Sequence, residues 1–172
     1  MLYSELQCSD AIHKAVERMG FAEMTEIQEK TIPVMMAGHD VIAKAPTGTG
    51  KTCAFGIPVA EHIIPENKYP QAVIMAPSRE LAQQIAQELE ELTYFMPKVQ
   101  VACVYGGANM EKQAKRLAEG CQIVVATPGR LMDHYKHHSI DISHVTQIVL
   151  DEADEMLNMG FYKDVRHIIE MM

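Results

Sequence analysis

Five short apolar runs, at 41–45, 72–76, 99–104, 123–126 and 148–150, punctuate this chain, and helical spacing occupies several of the intervals between them. Most are apolar at successive positions, the mark of strands buried on both faces. Such strands, alternating with helices, predict an α/β fold: a mostly parallel sheet with helices on both faces. The clearest helical pattern is Leu81, Ala82, Ile85, Ala86, Leu89 and Leu92. A first helix is expected over 9–19, with Ala11, Ile12, Ala15, Val16 and Met19 on one face and Gly20 as its stop. A second begins at Thr25, runs toward Met36 and ends near Gly38, with Pro33 expected to kink or divide it. No repeat, low-complexity segment or linker interrupts the 172 residues, so 1–172 reads as one domain. Ligands in folds of this kind gather beyond the carboxyl ends of the strands. The residues that follow each run therefore carry the argument about function.

After the first run comes APTGTGKT at 45–52, followed by an apolar helical stretch. This is a Walker A phosphate loop, with Ala45 where the strict pattern has its first glycine. Across Thr47, Gly48, Thr49 and Gly50 the backbone can wrap close enough for its N–H groups to cradle phosphates. A helix beginning near Lys51 adds its positive end. Lys51 would neutralise the outer phosphates and Thr52 would offer its hydroxyl to Mg2+. The last run ends in Asp151-Glu152-Ala153-Asp154. Taken alone, such a cluster reads as an acidic helix start. With a phosphate loop upstream, Asp151 becomes the Mg2+ partner, through water, and Glu152 the group that orients or deprotonates an attacking water. The pair predicts hydrolysis of ATP or GTP.

Together the motifs resemble the DEAD-box family of ATP-dependent RNA helicases, over essentially the whole chain. Besides APTGTGKT and DEAD, the sequence has GFAEMTEIQ at 20–28, similar to the family's Q motif, PSRELA at 77–82, GG at 106–107 and TPGR at 127–130, in the family's order. The resemblance implies a RecA-like P-loop domain, with the Q-motif region at 1–29, that binds ATP and Mg2+. It further implies that Tyr3, Phe21, Glu23 and Gln28 join 47–52 around the nucleotide, with Gln28 reading the adenine edge. Locally, Thr25-Glu26-Ile27-Gln28 is also a capping box, in which Gln28 turns back to its own helix. Tyr3 stands where the family more often has phenylalanine, 17 residues before Gly20, and Met24 replaces the usual proline. Tyr3 or Phe21 can pack on the base or brace the motif, and Phe21 as plain core is the equal alternative.

Pro77-Ser78-Arg79, Gly106-Gly107 and Thr127-Pro128-Gly129-Arg130 each follow a strand and lead into a helix or tight turn. Each alone fits turn-and-cap chemistry. The resemblance implies that together they hold the sugar–phosphate backbone of one RNA strand without reading bases, with Arg79 and Arg130 as cations. Ser78 replaces the family's threonine and keeps its hydroxyl. The net charge of −8 excludes a broad basic face, so such contacts would rest on a few placed groups.

No apolar run approaches the roughly 18 residues of a membrane span, and no secretory leader is visible, which points to the cytoplasm. Cys8, Cys53, Cys103 and Cys121 lack any C-x-x-C spacing and read as free thiols. His134, His137, His138 and His144 read as a solvated helix end and loop, Glu88, Glu90 and Glu91 as a solvated helix face, and the 13 methionines as core filler. Two function classes remain. One is an RNA-stimulated ATPase that unwinds RNA when joined to a second RecA-like domain of the same protein and aided by protein cofactors. The other is a non-hydrolysing RNA- or protein-binding module of the same fold. In this family the strand ending in S-A-T lies between those leading to the phosphate loop and to DEAD, and it would follow Met172. Runs 41–45 and 148–150 are therefore not expected to pair. The lane between them is expected to be filled from outside this numbering, or closed by rearrangement at the C-terminal end.

Overall fold

The computed structural model describes residues 1–46, 48 and 50–172. They pack as two compact units, Met1–Ile63 with Glu88–Pro97, and Ile64–Gln87 with Lys98–Met172.

The first unit is helical. Helix α1 (Asp10–Arg18) is capped by Ser9, whose Oγ accepts from the Ile12 amide, and it buries Ile12, Ala15 and Val16 as its periodicity predicts. Helix α2 (Glu26–Met36) starts at the Thr25 capping box and runs through Pro33 undivided. Helix α3 (Lys51–Glu61) buries eight consecutive residues, Cys53 to Ala60, so no face of it is polar over that stretch. Gly56 allows the close approach of a neighbour: a Cβ there would lie 2.8 Å from Leu92 Cδ1 and 3.1 Å from Leu89 Cδ2. Those leucines belong to the end of α4 (Arg79–Leu92), a helix whose residues divide between the two units.

The second unit is built on a four-stranded, wholly parallel sheet: β1 (Ala72–Met75), β2 (Val101–Val104), β3 (Ile123–Ala126) and β4 (Gln147–Leu150), in the order β2-β3-β1-β4. Val73, Met75, Val104, Val124 and Ala126 face a core shared with α5 (Met110–Ala118), α6 (Pro128–Lys136), α7 (Ala153–Asn158) and α8 (Tyr162–Glu170). The alternate residues Ala72, Ile74, Ile123 and Val125 are equally inaccessible, so the central strands are sealed on both faces. This is the parallel α/β architecture expected from the apolar runs.

One strand assignment is corrected. Residues 41–45 form no strand, and Val41 and Ile42 are exposed. A strand persists only within a ladder, and none of the described strands pairs with this run. The sheet ends instead at β4, whose one strand neighbour among the described residues is β1. With no strand at 41–45, the expected lane between that run and 148–150 does not arise among the described residues.

Candidate functional site

In the first unit the N-terminal residues zip antiparallel onto the Q-motif segment. Leu2 and Glu23 form a bridge, the Tyr3 amide donates to Ala22 O at 3.0 Å, and the Met24 amide donates to Met1 O at 2.9 Å. Tyr3 is thereby buried, and its ring stacks on Phe21 with centroids 6.4 Å apart. Phe21 itself is 44% exposed, which removes its reading as plain core. Burial raises the Tyr3 hydroxyl pKa above its usual value, so the group is a neutral donor. It donates to Gln28 Oε1, which also accepts from the Thr25 amide at 3.0 Å. Gln28 Nε2 donates to the Gly50 carbonyl at 3.1 Å. The capping box is therefore formed, and the same side chain reaches the phosphate loop.

That loop has the backbone its glycines permit, with φ of +82° at Gly48 and +83° at Gly50. Gly50 is the N-cap of α3 and offers no side-chain oxygen, so the first amides of α3 have no side-chain cap. A Cβ at Gly50 would press on Gln28 Nε2, so any other residue there adds displacement of that amide to the strain of a positive φ. Lys51 and Thr52 open the helix, both half-buried. The sequence-assigned Thr47 and Thr49 lie outside the described residues. Among the described residues no cluster of His, Cys, Asp or Glu forms a metal cage. The side chains of Thr52 and Asp151 carry oxygens of the kind Mg2+ takes, one or two from protein with phosphate and water supplying the rest.

In the second unit, the Asp151 amide continues the β1–β4 ladder by donating to Met75 O at 2.9 Å, which sets the acidic motif at a strand end. Glu152 has φ 52° and ψ 51°, the left-handed conformation, and is the N-cap of α7. A residue with a Cβ stores on the order of 1 kcal/mol there, and such strain concentrates at functional positions.

Three further loops meet in this unit. Ser78 caps α4, its Oγ accepting from the Leu81 amide at 3.2 Å. Arg79 lies over the Tyr105 ring, 5.2 Å from its centroid, and its Nη1 would be 3.6 Å from a Cβ at Gly107. Gly107 has φ +82°. Thr127 is the N-cap of α6, with Pro128 as the first helical residue, yet its hydroxyl makes no capping bond. Arg130 Nη1 donates to Ala108 O at 2.9 Å, tying the GG turn to α6. The Arg130 side chain is only 14% exposed, with Asp133 at 3.9 Å.

The family model for DEAD/DEAH box helicases matches residues 25–172. The chain belongs to that family. This DEAD-box chain is 51% identical, over 99% of its own length, to the ATP-dependent RNA helicase CshA of Limosilactobacillus reuteri, covering 34% of that protein. It is 45% identical to the CshA of Bacillus subtilis over 97% of its length and 34% of the relative's. It thus spans about a third of the curated relatives it matches. Among solved structures it is similar to a DEAD box protein from Methanococcus jannaschii, with a TM-score of 0.91 and 41% identity, covering 99% of this chain and 47% of that one. A second, described as a hypothetical ATP-dependent RNA helicase from Sulfolobus tokodaii, matches with a TM-score of 0.86 and 38% identity over 95% of this chain and 47% of the other. The RecA-like fold of the DEAD-box domain is therefore the fold of this chain.

Two residues of the DEAD-box chain escaped the sequence reading. His134 is not part of a solvated helix end: it is fully buried, whereas His137 and His138 are exposed and His144 stacks on Tyr69 at 4.1 Å. The α5–α6 side of the second unit's core covers it, a tertiary fact with no local signature. Gln113 is buried one helical turn before Leu117 on the apolar face of α5. An amide at a core-facing helical position is the signal that could have marked it. The cysteines are free thiols as expected, and burial pushes Cys53 up to about 12 and Cys121 up to about 11. No helix among the described residues is long and apolar enough to cross a membrane.

Proposed function

We propose that this chain is the nucleotide-binding part of a cytoplasmic ATP-dependent RNA helicase, acting with a second RecA-like domain of the same protein and with protein cofactors. The observation that carries the reading is the joined Q motif and phosphate loop: one glutamine caps α2 and holds the Gly50 carbonyl beside the uncapped start of α3. That start offers backbone amides to phosphates, and Lys51 adds the charge that neutralises the outer ones. Tyr3, Phe21, Glu23 and Gln28 surround the base, and Phe21 has the exposure to stack on it. Thr52 and Asp151 would offer the protein oxygens for Mg2+, which when bound would supply charge neutralisation for phosphoryl transfer. Glu152 accepts the proton of the attacking water. Pro77, Ser78, Arg79, Gly106, Gly107, Thr127, Pro128, Gly129 and Arg130 form the RNA-backbone face, without base readout. Titration calorimetry tests the nucleotide reading. The chain binds ADP in preference to GDP, and Lys51→Ala abolishes binding of both. Equal affinity for the two nucleotides removes the adenine assignment, and full binding by Lys51→Ala removes the phosphate loop from the site.

A further inference from the structure

We propose that Gln113 and His134 are positioning residues for the RNA-backbone face, and that Arg130 serves that face mainly by joining them in a buried latch. The proposal rests on the RNA-face reading given above.

The hydrogen-bond chemistry of the latch has one solution. Arg130 can only donate, so the Gln113 atom 3.1 Å from its Nη1 must be the amide oxygen. The Tyr105 carbonyl can only accept, so the Gln113 atom 3.0 Å from it must be the amide nitrogen. The amide orientation is thus set from both sides. His134 Nε2 lies 3.0 Å from the same Gln113 oxygen, so the imidazole must donate there and is the Nε2–H tautomer. Its Nδ1 is then a bare lone pair, buried with no hydrogen-bond partner among the described residues. Burial, followed by the neighbouring Arg130 charge, lowers the His134 pKa and keeps the ring neutral.

What the latch grips is the Gly106-Gly107 turn. Tyr105 and Ala108 flank that turn, and both carbonyls are held by side chains, Tyr105 O by Gln113 and Ala108 O by Arg130. The two clamps meet at one atom, Gln113 Oε1, with His134 behind it. Gln113 comes from α5, and Arg130 and His134 from α6, so the turn is pinned against the helix that Thr127, Pro128 and Gly129 open. Two of the three RNA-side loops are therefore set relative to one another by a buried polar knot. Arg130 is 14% exposed and spends Nη1 on this knot, leaving Arg79 as the more available cation of the face. Backbone amides bind phosphates only when held at the right spacing, which is the property the latch would control.

The test uses the full-length enzyme. It measures ATP turnover against a single-stranded oligouridylate, anisotropy of the fluorescein-labelled oligouridylate, and ADP affinity. Gln113→Leu raises the RNA concentration for half-maximal turnover at least about tenfold. Turnover at saturating RNA stays within about twofold of wild type and ADP affinity is unchanged. Gln113→Glu, which still accepts from Arg130 and His134 but sets an oxygen against Tyr105 O, shifts the same parameter and serves if the leucine variant does not fold. His134→Leu shifts it in the same direction, and His134→Gln, which restores an N–H donor at Gln113 Oε1, recovers most of the loss. Wild-type RNA half-saturation in both Gln113 variants overturns the proposal. So does a parallel fall in turnover and ADP affinity, or a His134→Gln variant no better than His134→Leu. Arg79→Ala separates the two levels of argument. If it too leaves RNA binding unchanged, the RNA-face reading itself fails. If it alone weakens RNA binding, only the latch falls.

Discussion

Replacing Tyr3 with phenylalanine should sharpen the chain's choice of adenine while slightly weakening its fold. The amide of Gln28 has four hydrogen-bonding positions, two lone pairs on oxygen and two N–H donors. Both lone pairs are in use, one by the Thr25 amide at 3.0 Å and one by the Tyr3 hydroxyl. One donor goes to Gly50 O at 3.1 Å, and the other has no partner among the described residues. A single donor can meet N7, which adenine and guanine share; telling them apart requires accepting from the adenine amino group, which guanine lacks at that position. The Tyr3 hydroxyl therefore competes with the adenine amino group for the same oxygen, and the wild-type preference for ADP is the part of the discrimination that survives this competition. Tyr3→Phe vacates one lone pair in a side chain that is otherwise 3% exposed. One net hydrogen bond is worth about 0.5–1.5 kcal/mol, so the ratio of GDP to ADP dissociation constants should rise about 2- to 10-fold. The same bond is lost to the free protein, lowering its stability by about 1 kcal/mol and its Tm by about 2–4 °C. Titration calorimetry with both nucleotides, alongside thermal unfolding, reads both effects. An unchanged or smaller ratio in a variant with the expected drop in Tm would refute the competition.

In the full-length enzyme, Glu152→Gln should leave ATP binding nearly intact and stop turnover, because the amide keeps the shape but accepts no proton. Retention of more than about a tenth of wild-type ATPase, less than ~1.4 kcal/mol of barrier, takes Glu152 out of that role. Stability should fall in alkali. The Cys53 thiol, held neutral up to about 12 against an ordinary 9.0, contributes fully below pH 9 and progressively less as pH rises toward 12. The loss approaches ~1.4 kcal/mol per pH unit. Urea midpoints measured from pH 8 upward should show this decline, and Cys53→Ala should make it shallower by the Cys53 share, leaving the part due to Cys121, Cys8 and Tyr3. RNA binding by this chain should be weak and independent of sequence, with a log-affinity slope on log salt of about −0.7 per phosphate neutralised. A slope steeper than about −4 would reveal a basic surface that neither charge nor motif indicates.

Much of this was legible because local chemistry and tertiary role coincide. The Thr25–Gln28 box, the helix over 9–19 and the start of α3 at Lys51 are all set by residues within a turn or two of one another. Failures came where partners lie far off in the chain. Residues 41–45 have the composition of a buried strand, but an apolar run becomes a strand only if a ladder receives it, and composition does not encode the ladder. His134 looked solvated because its sequence neighbours are, whereas its bonding partner Gln113 lies 21 residues earlier. Gln28 had one local reading, the cap, and a second implied by the family resemblance, the base reader. The structure forms the cap and adds two partners, Tyr3 and Gly50, that no spacing rule supplies.

The left-handed backbone at Glu152 has a consequence for anyone evolving this protein in the laboratory. With φ at 52° and ψ at 51°, the position is one that glycine would occupy without strain. A library sorted only for thermal tolerance or yield should therefore drift toward Glu152→Gly, and each winner would lack the carboxylate assigned to water activation. Sorting on turnover as well would hold the glutamate in place against that drift.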